Sequence, residues 1–143
     1  MNFSGTIANE ITHLTALEGI FLVNNPLLTG TIPKQIGKLE NLTRIYLYAN
    51  HLESPLPKSL VKLKNTLVAL SIWDNYFKES IPSELGQMNA LEELGMSNNF
   101  FNGTIPKELG SLSNLGELSM QCIFCKVNNS LVSCIMLLLI KSL

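Results

Sequence analysis

The sequence repeats itself every 24 or 25 residues, and this period limits the fold more than any other feature. Ile-Pro or Leu-Pro pairs recur at this spacing, at Ile32-Pro33, Leu56-Pro57, Ile81-Pro82 and Ile105-Pro106. Single asparagines precede them at the same spacing: Asn25, Asn50, Asn75 and Asn99. A period of 20–29 residues predicts a solenoid with one coil per repeat. Such an array presents a binding surface, so the sequence predicts a protein that is not an enzyme.

Each repeat follows the pattern L-x-x-L-x-x-L-x-L-x-x-N-x-L-x-G-x-I-P-x-x-L-G-x-L. Alternate residues of a strand point to opposite faces, so Ile45 and Leu47 enter the core and Tyr46 points outward. Stacked coils would then form a parallel sheet with one short strand per repeat. In the first copy the pattern assigns Leu27 to the core. Single insertions within Pro26–Thr29 and at Thr66 explain the 25-residue copies.

The regular spacing of the asparagines, prolines and glycines also predicts how each strand ends and how the chain returns to the next strand. Burying the four asparagines in register would form a hydrogen-bonded ladder along the solenoid, because their amides can pair with backbone groups at the turns. Each proline would open a short α or 3-10 turn. Glycines four residues later, at Gly37, Gly86 and Gly110, would supply left-handed caps. Val61 replaces this glycine in one copy, which predicts a less regular cap.

The segments TGTIPKQIGKLENL and NGTIPKELGSLSNL resemble plant-type leucine-rich repeats, and the resemblance covers about residues 3–121. It implies an α/β fold, a right-handed solenoid with a concave parallel sheet and short helical or 3-10 turns on the convex side. Family members resembling this chain are ectodomains of receptor-like kinases and receptor-like proteins, and secreted enzyme inhibitors. They recognise peptides, small hormones or proteins, mostly through their concave and lateral faces. Ser54 and Glu79 depart from the family pattern where it has glycine, and the family's paired-cysteine caps are absent.

The outward positions of the predicted strands supply the candidate binding residues. Aromatic side chains gather in the first three coils, beside one cation and one anion, giving the set Phe21, Arg44, Tyr46, Tyr48, Trp73 and Asp74. Aromatic residues are enriched in binding hot spots. They also favour strands in general, so the same residues could simply cover a sheet. Glu92, Glu93 and Glu117 make the later coils acidic, and we interpret them as a solvated face.

Composition excludes several other functions. Nine lysines and one arginine against 11 acidic residues give a net charge of −1. A chain without a basic excess is a poor candidate for binding nucleic acid. Cys122 and Cys125 form a lone C-x-x-C, and His13 and His51 are not at ligand spacing from it. We therefore expect no metal site, no cofactor and no catalytic residue.

Four N-x-S/T triplets are candidate glycosylation sites, at Asn2, Asn41, Asn102 and Asn128. Together with the family resemblance, they favour a location on the extracellular face of the plasma membrane or in secretions. A cytoplasmic location is the alternative.

We divide the sequence into a repeat array, residues 1–121, and an atypical apolar tail, residues 122–143. The array would hold about five coils, with the first and last incomplete. The tail's apolar stretch of ten residues is too short to span a bilayer as a helix, so we expect membrane contact only through segments that are absent from this sequence or truncated in it. We interpret the tail as truncated or as foreign to the natural protein.

The predicted function is noncovalent recognition of a peptide or protein by a fragment of a receptor-like protein. Three alternatives remain open at this point. The chain could be the ectodomain of a receptor-like kinase whose catalytic domain is missing, an intracellular scaffold, or a secreted enzyme inhibitor.

Overall fold

The structure is a computed structural model that describes residues 3–121, and these residues form stacked coils. Ten short strands lie in the chain order β1 Ser4–Thr6, β2 Gly19–Phe21, β3 Asn25–Gly30, β4 Arg44–Tyr46, β5 Asn50–Ser54, β6 Ala69–Ser71, β7 Tyr76–Ser80, β8 Glu93–Gly95, β9 Phe100–Asn102 and β10 Glu117–Ser119. Five 3-10 turns alternate with strand pairs: η1 Asn9–His13, η2 Ile36–Lys38, η3 Lys58–Leu63, η4 Ser83–Gln87 and η5 Lys107–Ser111.

The even-numbered strands form the concave sheet, in the order β10-β8-β6-β4-β2. All neighbours are parallel, and the central residue of each strand is in register with the next, as in the pairs Ile20–Ile45 and Ile45–Leu70. Parallel pairing follows because every coil travels in the same direction before returning through its 3-10 turn. The predicted α/β solenoid with a concave parallel sheet and short 3-10 turns on the convex side is confirmed.

The odd-numbered strands form a second parallel sheet, in the order β1-β3-β5-β7-β9, which we call the lateral sheet. The repeat pattern predicted only one strand per repeat and did not indicate this second one. Its residues alternate as exposed and buried, as in exposed Tyr76, buried Phe77 and exposed Lys78. This alternation is the strand signal, but it spans only a few residues after each asparagine turn.

The interior is a continuous column of aliphatic side chains, to which each coil contributes the leucine-type positions of the repeat. Fully buried members include Leu39, Leu42, Ile45, Leu47, Leu52, Leu63, Leu67, Leu70, Ile72, Phe77, Met88, Leu91, Leu94 and Met96. Each large buried side chain contributes roughly 1.5–3 kcal/mol relative to exposure, so the core holds neighbouring coils together.

Both predicted insertions are absorbed locally. The first produces a register irregularity between Asn25 and Thr29 in the pairing of β3 with β5. As a result, Leu28 is 3% exposed and Leu27 is 59% exposed, so the prediction that Leu27 enters the core is wrong. The extra residue moves the inward position along by one. The second insertion, Thr66, lies in a turn where the Thr66 and Leu67 N–H groups both donate to the Leu63 carbonyl.

The prediction of left-handed glycine caps on the convex side is also wrong. Neither Gly37, Gly86 nor Gly110 has a positive φ. At Gly37 and Gly86 the missing side chain serves close packing instead. A Cβ at Gly37 would overlap the carbonyl oxygen of Ser59, and one at Gly86 would overlap that of Glu108. Glycine at these positions therefore lets consecutive convex turns approach each other.

Positive φ occurs instead at or near the end of the lateral strand, at the glycine of the L-x-G-x-I-P motif. Gly5, Gly30 and Gly103 have φ of 95°, 83° and 79°. The two residues that depart from the motif keep the same backbone, with φ of 86° at Ser54 and 68° at Glu79. These coils therefore hold a left-handed conformation that costs a residue with a Cβ roughly 1–2 kcal/mol.

Candidate functional site

The six candidate binding residues lie on concave strands or directly after them. Phe21 ends β2, and Arg44 and Tyr46 flank the buried centre of β4. Tyr48, Trp73 and Asp74 follow β4 and β6 before the asparagine turn. Phe21, Arg44 and Asp74 are exposed, whereas Tyr46, Tyr48 and Trp73 are partly buried. The structure thus brings the aromatic candidates together on one face of three adjacent strands.

The four rings form a contiguous group, which we call the concave aromatic cluster (Phe21, Tyr46, Tyr48 and Trp73). Phe21 meets Tyr46 edge-on, with ring centroids 5.4 Å apart at 70°. Tyr46 and Tyr48 are 6.5 Å apart. Tyr48 stacks on Trp73 at 4.4 Å and 8°. Edge-to-face and stacked pairs each add about 0.5–1.5 kcal/mol, so the rings hold one another in place before any ligand arrives.

Tyr46 has a further partner that the sequence analysis missed. Its hydroxyl donates to Glu93 Oε2 at 2.9 Å, across the intervening strand β6. Burial raises the pKa of the Tyr46 hydroxyl, and the hydrogen bond to the Glu93 carboxylate and the charge of that carboxylate raise this pKa further. The bridge is sterically allowed because β6 presents only the small, buried residues Ala69 and Ser71 beneath it.

Arg44 and Asp74 lie beside the cluster but form no ion pair with any residue of 3–121. The ion pairs in this part of the chain join Lys58 to Glu84 and Lys78 to Glu53, away from the concave sheet. Asp74 also has a backbone role, since its φ of 53° is left-handed. Asparagine holds this position in two other coils, and Asp and Asn tolerate this conformation better than most residues.

After Trp73, the concave surface drops from large side chains to small ones. Gly95, the last residue of β8, and Ser97, which follows β8, are both buried. A Cβ at Gly95 would lie 3.4 Å from Trp73 Cδ1. The Ser97 and Ser119 hydroxyls are hydrogen bonded at 2.7 Å, and Ser97 Oγ accepts from the Gln121 N–H at 3.0 Å. We call this change in height the Trp73 step. It leaves room above β8 and β10 that coils 1–3 fill with rings.

The four asparagines that follow the concave strands are 2–3% exposed. Asn75 is representative. Its Nδ2 donates to the carbonyls of Leu47, Ile72 and Trp73, and its Oδ1 accepts from the Leu52 N–H at 3.0 Å. Asn99 repeats this pattern one coil later. Each side chain thus satisfies buried backbone groups of its own coil and of the preceding coil, which fixes the strand ends that carry the candidate site.

Two of the four candidate glycosylation sites lie in the described part of the chain. Asn41 is exposed, but its Nδ2 donates to the Thr15 carbonyl at 3.0 Å. The hydroxyl of the same triplet, on Thr43, donates to the Glu18 carbonyl at 2.9 Å. Asn102 is exposed at the end of β9. Asn2, Asn128, Cys122 and Cys125 lie outside the described residues, as does the predicted tail.

Within residues 3–121, no His, Cys, Asp and Glu side chains gather in threes at a spacing that would hold a metal ion. In the same range, no helix has the length and apolar character needed to cross a membrane.

Comparisons with known proteins agree on one type of molecule. A family model described as a leucine-rich repeat region matches residues 5–143. The LRR receptor-like serine/threonine-protein kinase GSO2 of Arabidopsis thaliana is 40% identical over 61 residues, which are 43% of this chain and 5% of that protein. Receptor-like protein 52 of the same species is 44% identical over 62 residues, 42% of this chain and 7% of that protein. The chain thus spans only a small part of these relatives.

A solved structure of the plant peptide hormone receptor RGFR1 in complex with RGF2 is also similar. The TM-score is 0.76 at 32% identity, over 81% of this chain and 19% of that one. The regions that match are leucine-rich-repeat regions and not catalytic domains.

Proposed function

The chain belongs to the leucine-rich-repeat family, and from this membership we propose that its concave sheet binds a peptide or a protein segment without covalent chemistry. The similarity to a receptor that was solved in complex with RGF2 supports a peptide or protein as the partner. The exposed and partly exposed rings of the concave aromatic cluster carry the proposal. Their contacts with one another make the surface rigid before binding, which lowers the entropy lost on association.

Noncovalent recognition would proceed by burying apolar ligand side chains against this cluster. Phe21 is 58% exposed, so its ring offers area that a ligand can cover. Trp73 and Tyr48 offer their outer faces as a stacked pair. Aromatic residues at the centre of an interface commonly contribute 2 kcal/mol or more each, so a few rings can dominate the affinity. Packing of aromatics merely to cover the sheet predicts no such contribution.

The test is a selection of peptides from a random heptapeptide display library on the immobilised 143-residue chain. Binding of the enriched peptides is then measured on Trp73→Ala and Tyr48→Ala variants. We expect at least about a tenfold weaker Kd for Trp73→Ala, which corresponds to about 1.4 kcal/mol. Circular dichroism melting would verify that the variants remain folded.

Tyr76→Ala is the matched control, because Tyr76 is a 40% exposed ring on the lateral sheet, stacked on His51 at 4.9 Å. It should leave the Kd of the concave ligands unchanged. If Tyr76→Ala weakened binding and Trp73→Ala did not, the binding face would be lateral and the proposal would be wrong.

We also propose that the chain acts outside the cell, as part of a receptor-like protein. The relation to Receptor-like protein 52 and the exposed triplet at Asn102 support this location. Expression through the secretory pathway should place a glycan at Asn102. Peptide mapping after endoglycosidase treatment would detect it, and an unmodified Asn102 in the secreted protein would argue against the assignment.

A receptor-like kinase is the second candidate, because one relative is named as such over a region that makes up 5% of its length. In that case the same concave surface would bind the ligand, and catalysis would belong to another domain. Sequencing of the complete transcript beyond the codon for Leu143 separates the two candidates, since only one requires a kinase domain.

A further inference from the structure

The Trp73 step has a defined set of walls. On one side stands the indole of Trp73, held by its 4.4 Å stacking on Tyr48. The floor consists of Gly95 and Ser97, which are buried and small. Glu93 lies on the same strand as Gly95, two residues earlier, so its side chain points to the same face. The space above β8 is therefore bordered by an aromatic face and a carboxylate.

Glu93 is held in position but not neutralised. One carboxylate oxygen accepts the Tyr46 hydroxyl at 2.9 Å. No lysine or arginine of residues 3–121 forms an ion pair with Glu93, nor with Glu117, which pairs with Glu93 in the register of β10 and β8. In the register of the concave sheet, Glu93 pairs with Ala69 and Ala69 pairs with Arg44. Arg44 is therefore the nearest cation in this row of residues, two strands away from Glu93. The step thus carries negative charge that the described chain leaves uncompensated.

We propose that the Trp73 step is the subsite for a basic side chain of the bound peptide, an inference that rests on the concave binding function proposed above. The methylene stem of a lysine or arginine would cover the indole, as such stems commonly cover apolar surface. Its charged head would reach the free oxygen of Glu93, where a charge-assisted hydrogen bond is stronger than a neutral one. The ring faces of Trp73 and Tyr46 favour the same charge through their quadrupoles.

The chemistry excludes the opposite ligand charge at this place. An acidic ligand side chain above β8 would face Glu93 and Glu117, and neither β8 nor β10 carries a cation. Glu93 is therefore a specificity-determining residue, and Tyr46 is its positioning residue. This role replaces our interpretation of Glu93 as part of a solvated face.

The experiment selects heptapeptides in parallel on the wild-type 143-residue chain, on Glu93→Gln and on Glu108→Gln. Glu108 is an exposed carboxylate on the convex turn η5 and serves as the matched control. We expect Lys or Arg to be enriched at one peptide position on the wild type and on Glu108→Gln, and this enrichment to disappear on Glu93→Gln.

A direct measurement follows with one enriched peptide and its norleucine analogue, which keeps the stem but lacks the charge. Trp73 is the only tryptophan of the chain, so its fluorescence reports binding at the step. On the wild type, the norleucine analogue should bind about tenfold more weakly than the enriched peptide. On Glu93→Gln, the two peptides should bind with equal affinity. Tyr46→Phe, which removes the hydroxyl and no charge, should reduce the lysine preference only in part.

Equal binding of the two peptides to the wild type would overturn the basic subsite while leaving the concave function intact. So would an unchanged lysine preference in Glu93→Gln. If no library peptide bound in a manner sensitive to Trp73→Ala, the concave function itself would fail, and the subsite with it.

Discussion

At the scale of single residues, the backbone conformation determines which amino acid suits several positions whose side-chain contacts do not explain the choice. Each lateral strand has a residue with positive φ at or near its end, and three coils place glycine there. Ser54 and Glu79 adopt the same conformation at the cost of steric strain, because a Cβ crowds the backbone when φ is positive. Within residues 3–121 neither side chain forms an ion pair that would offset this strain, so glycine should be the better residue at both positions.

Replacement of Glu79 by glycine should therefore stabilise the protein. Since Glu79 is exposed and has φ of 68°, we expect the free energy of unfolding to rise by about 1 kcal/mol, measured by urea denaturation. Ser80→Gly is the control, because Ser80 is exposed next to it without a positive φ. There glycine should destabilise by about 0.5–1 kcal/mol. Destabilisation by both changes would refute the strain argument.

The bridge between Tyr46 and Glu93 predicts a pH effect. Burial and the neighbouring Glu93 carboxylate raise the pKa of the Tyr46 hydroxyl above its ordinary value of 10.0. Because the folded-state pKa lies above that of the unfolded chain, the contribution to stability is present below about pH 10 and is lost as the pH rises through the folded-state value.

In the Glu93→Gln variant the pKa of Tyr46 should fall but stay above the ordinary value of tyrosine, because burial is the largest cause of the raised pKa and remains. NMR titration of ring-labelled tyrosine would measure both pKa values. An unchanged pKa in the variant would show that the hydrogen bond does not form in solution.

The outward residues of the candidate site could be predicted from the sequence, because strand alternation alone decides whether Tyr46 or Ile45 faces out. The partnership of Tyr46 with Glu93 could not. It depends on a side chain leaning across a neighbouring strand, and repeat periodicity contains no information about that direction. The error at Leu27 has a similar origin, since an insertion does not reveal which adjacent leucine takes the inward place.

At the scale of elements, two kinds of contact hold one coil against the next, the buried asparagine ladder and the close approach of the convex turns. Replacing Asn75 with alanine leaves the Leu52 N–H buried without its side-chain partner. The Leu47 and Ile72 carbonyls each lose one hydrogen bond but keep another, from the Asn50 and Asn99 amides. A buried group left unsatisfied costs about 1–3 kcal/mol, so we expect a loss of about 1–3 kcal/mol in the free energy of unfolding.

Asn114→Ala provides the comparison for Asn75→Ala. The Asn114 amide also donates to a carbonyl of the preceding coil, that of Asn89 at 2.7 Å, but it is exposed to water. Its removal should cost less than about 1 kcal/mol in the same urea titration. Similar losses from the two variants would mean that burial does not determine how much the asparagine hydrogen bonds contribute to the free energy of unfolding.

The convex turns offer a second matched pair, Gly86→Ala and Gly110→Ala. A Cβ at Gly86 overlaps the backbone carbonyl of Glu108, whereas among described residues nothing lies within 4 Å of one at Gly110. We expect Gly86→Ala to lower the free energy of unfolding by about 1–3 kcal/mol and Gly110→Ala to leave it nearly unchanged. Thermal melting followed by circular dichroism would measure this difference. A loss confined to Gly110→Ala would contradict the packing role.

The roles of these glycines were not predictable from one sequence, because a glycine after a helical turn fits both a left-handed cap and a close contact between coils. The lateral sheet was missed for a related reason. Its strands contribute as few as three residues, too short for alternation to stand out from a turn.

At the scale of the whole molecule, the repeat period and the family resemblance were sufficient to predict the solenoid and its concave sheet, although not the lateral sheet. Each coil contacts mainly its neighbours, so a local misassignment such as the cap at Gly86 does not spread to the rest of the solenoid. The same property leaves the outward columns free to vary. Function must therefore be inferred from what those columns contain, here a ring cluster followed by a charged step.

The asparagine ladder also has a direction. Every ladder side chain reaches back to the coil before its own, as Asn50 does to the Leu22 carbonyl and Asn75 to that of Leu47. A chain emerging from the ribosome would therefore finish each coil only after the asparagine of the next had been synthesised. Folding during synthesis would proceed coil by coil from the amino terminus, and the most recently formed coil would lack the hydrogen bonds that the asparagine of the next coil supplies.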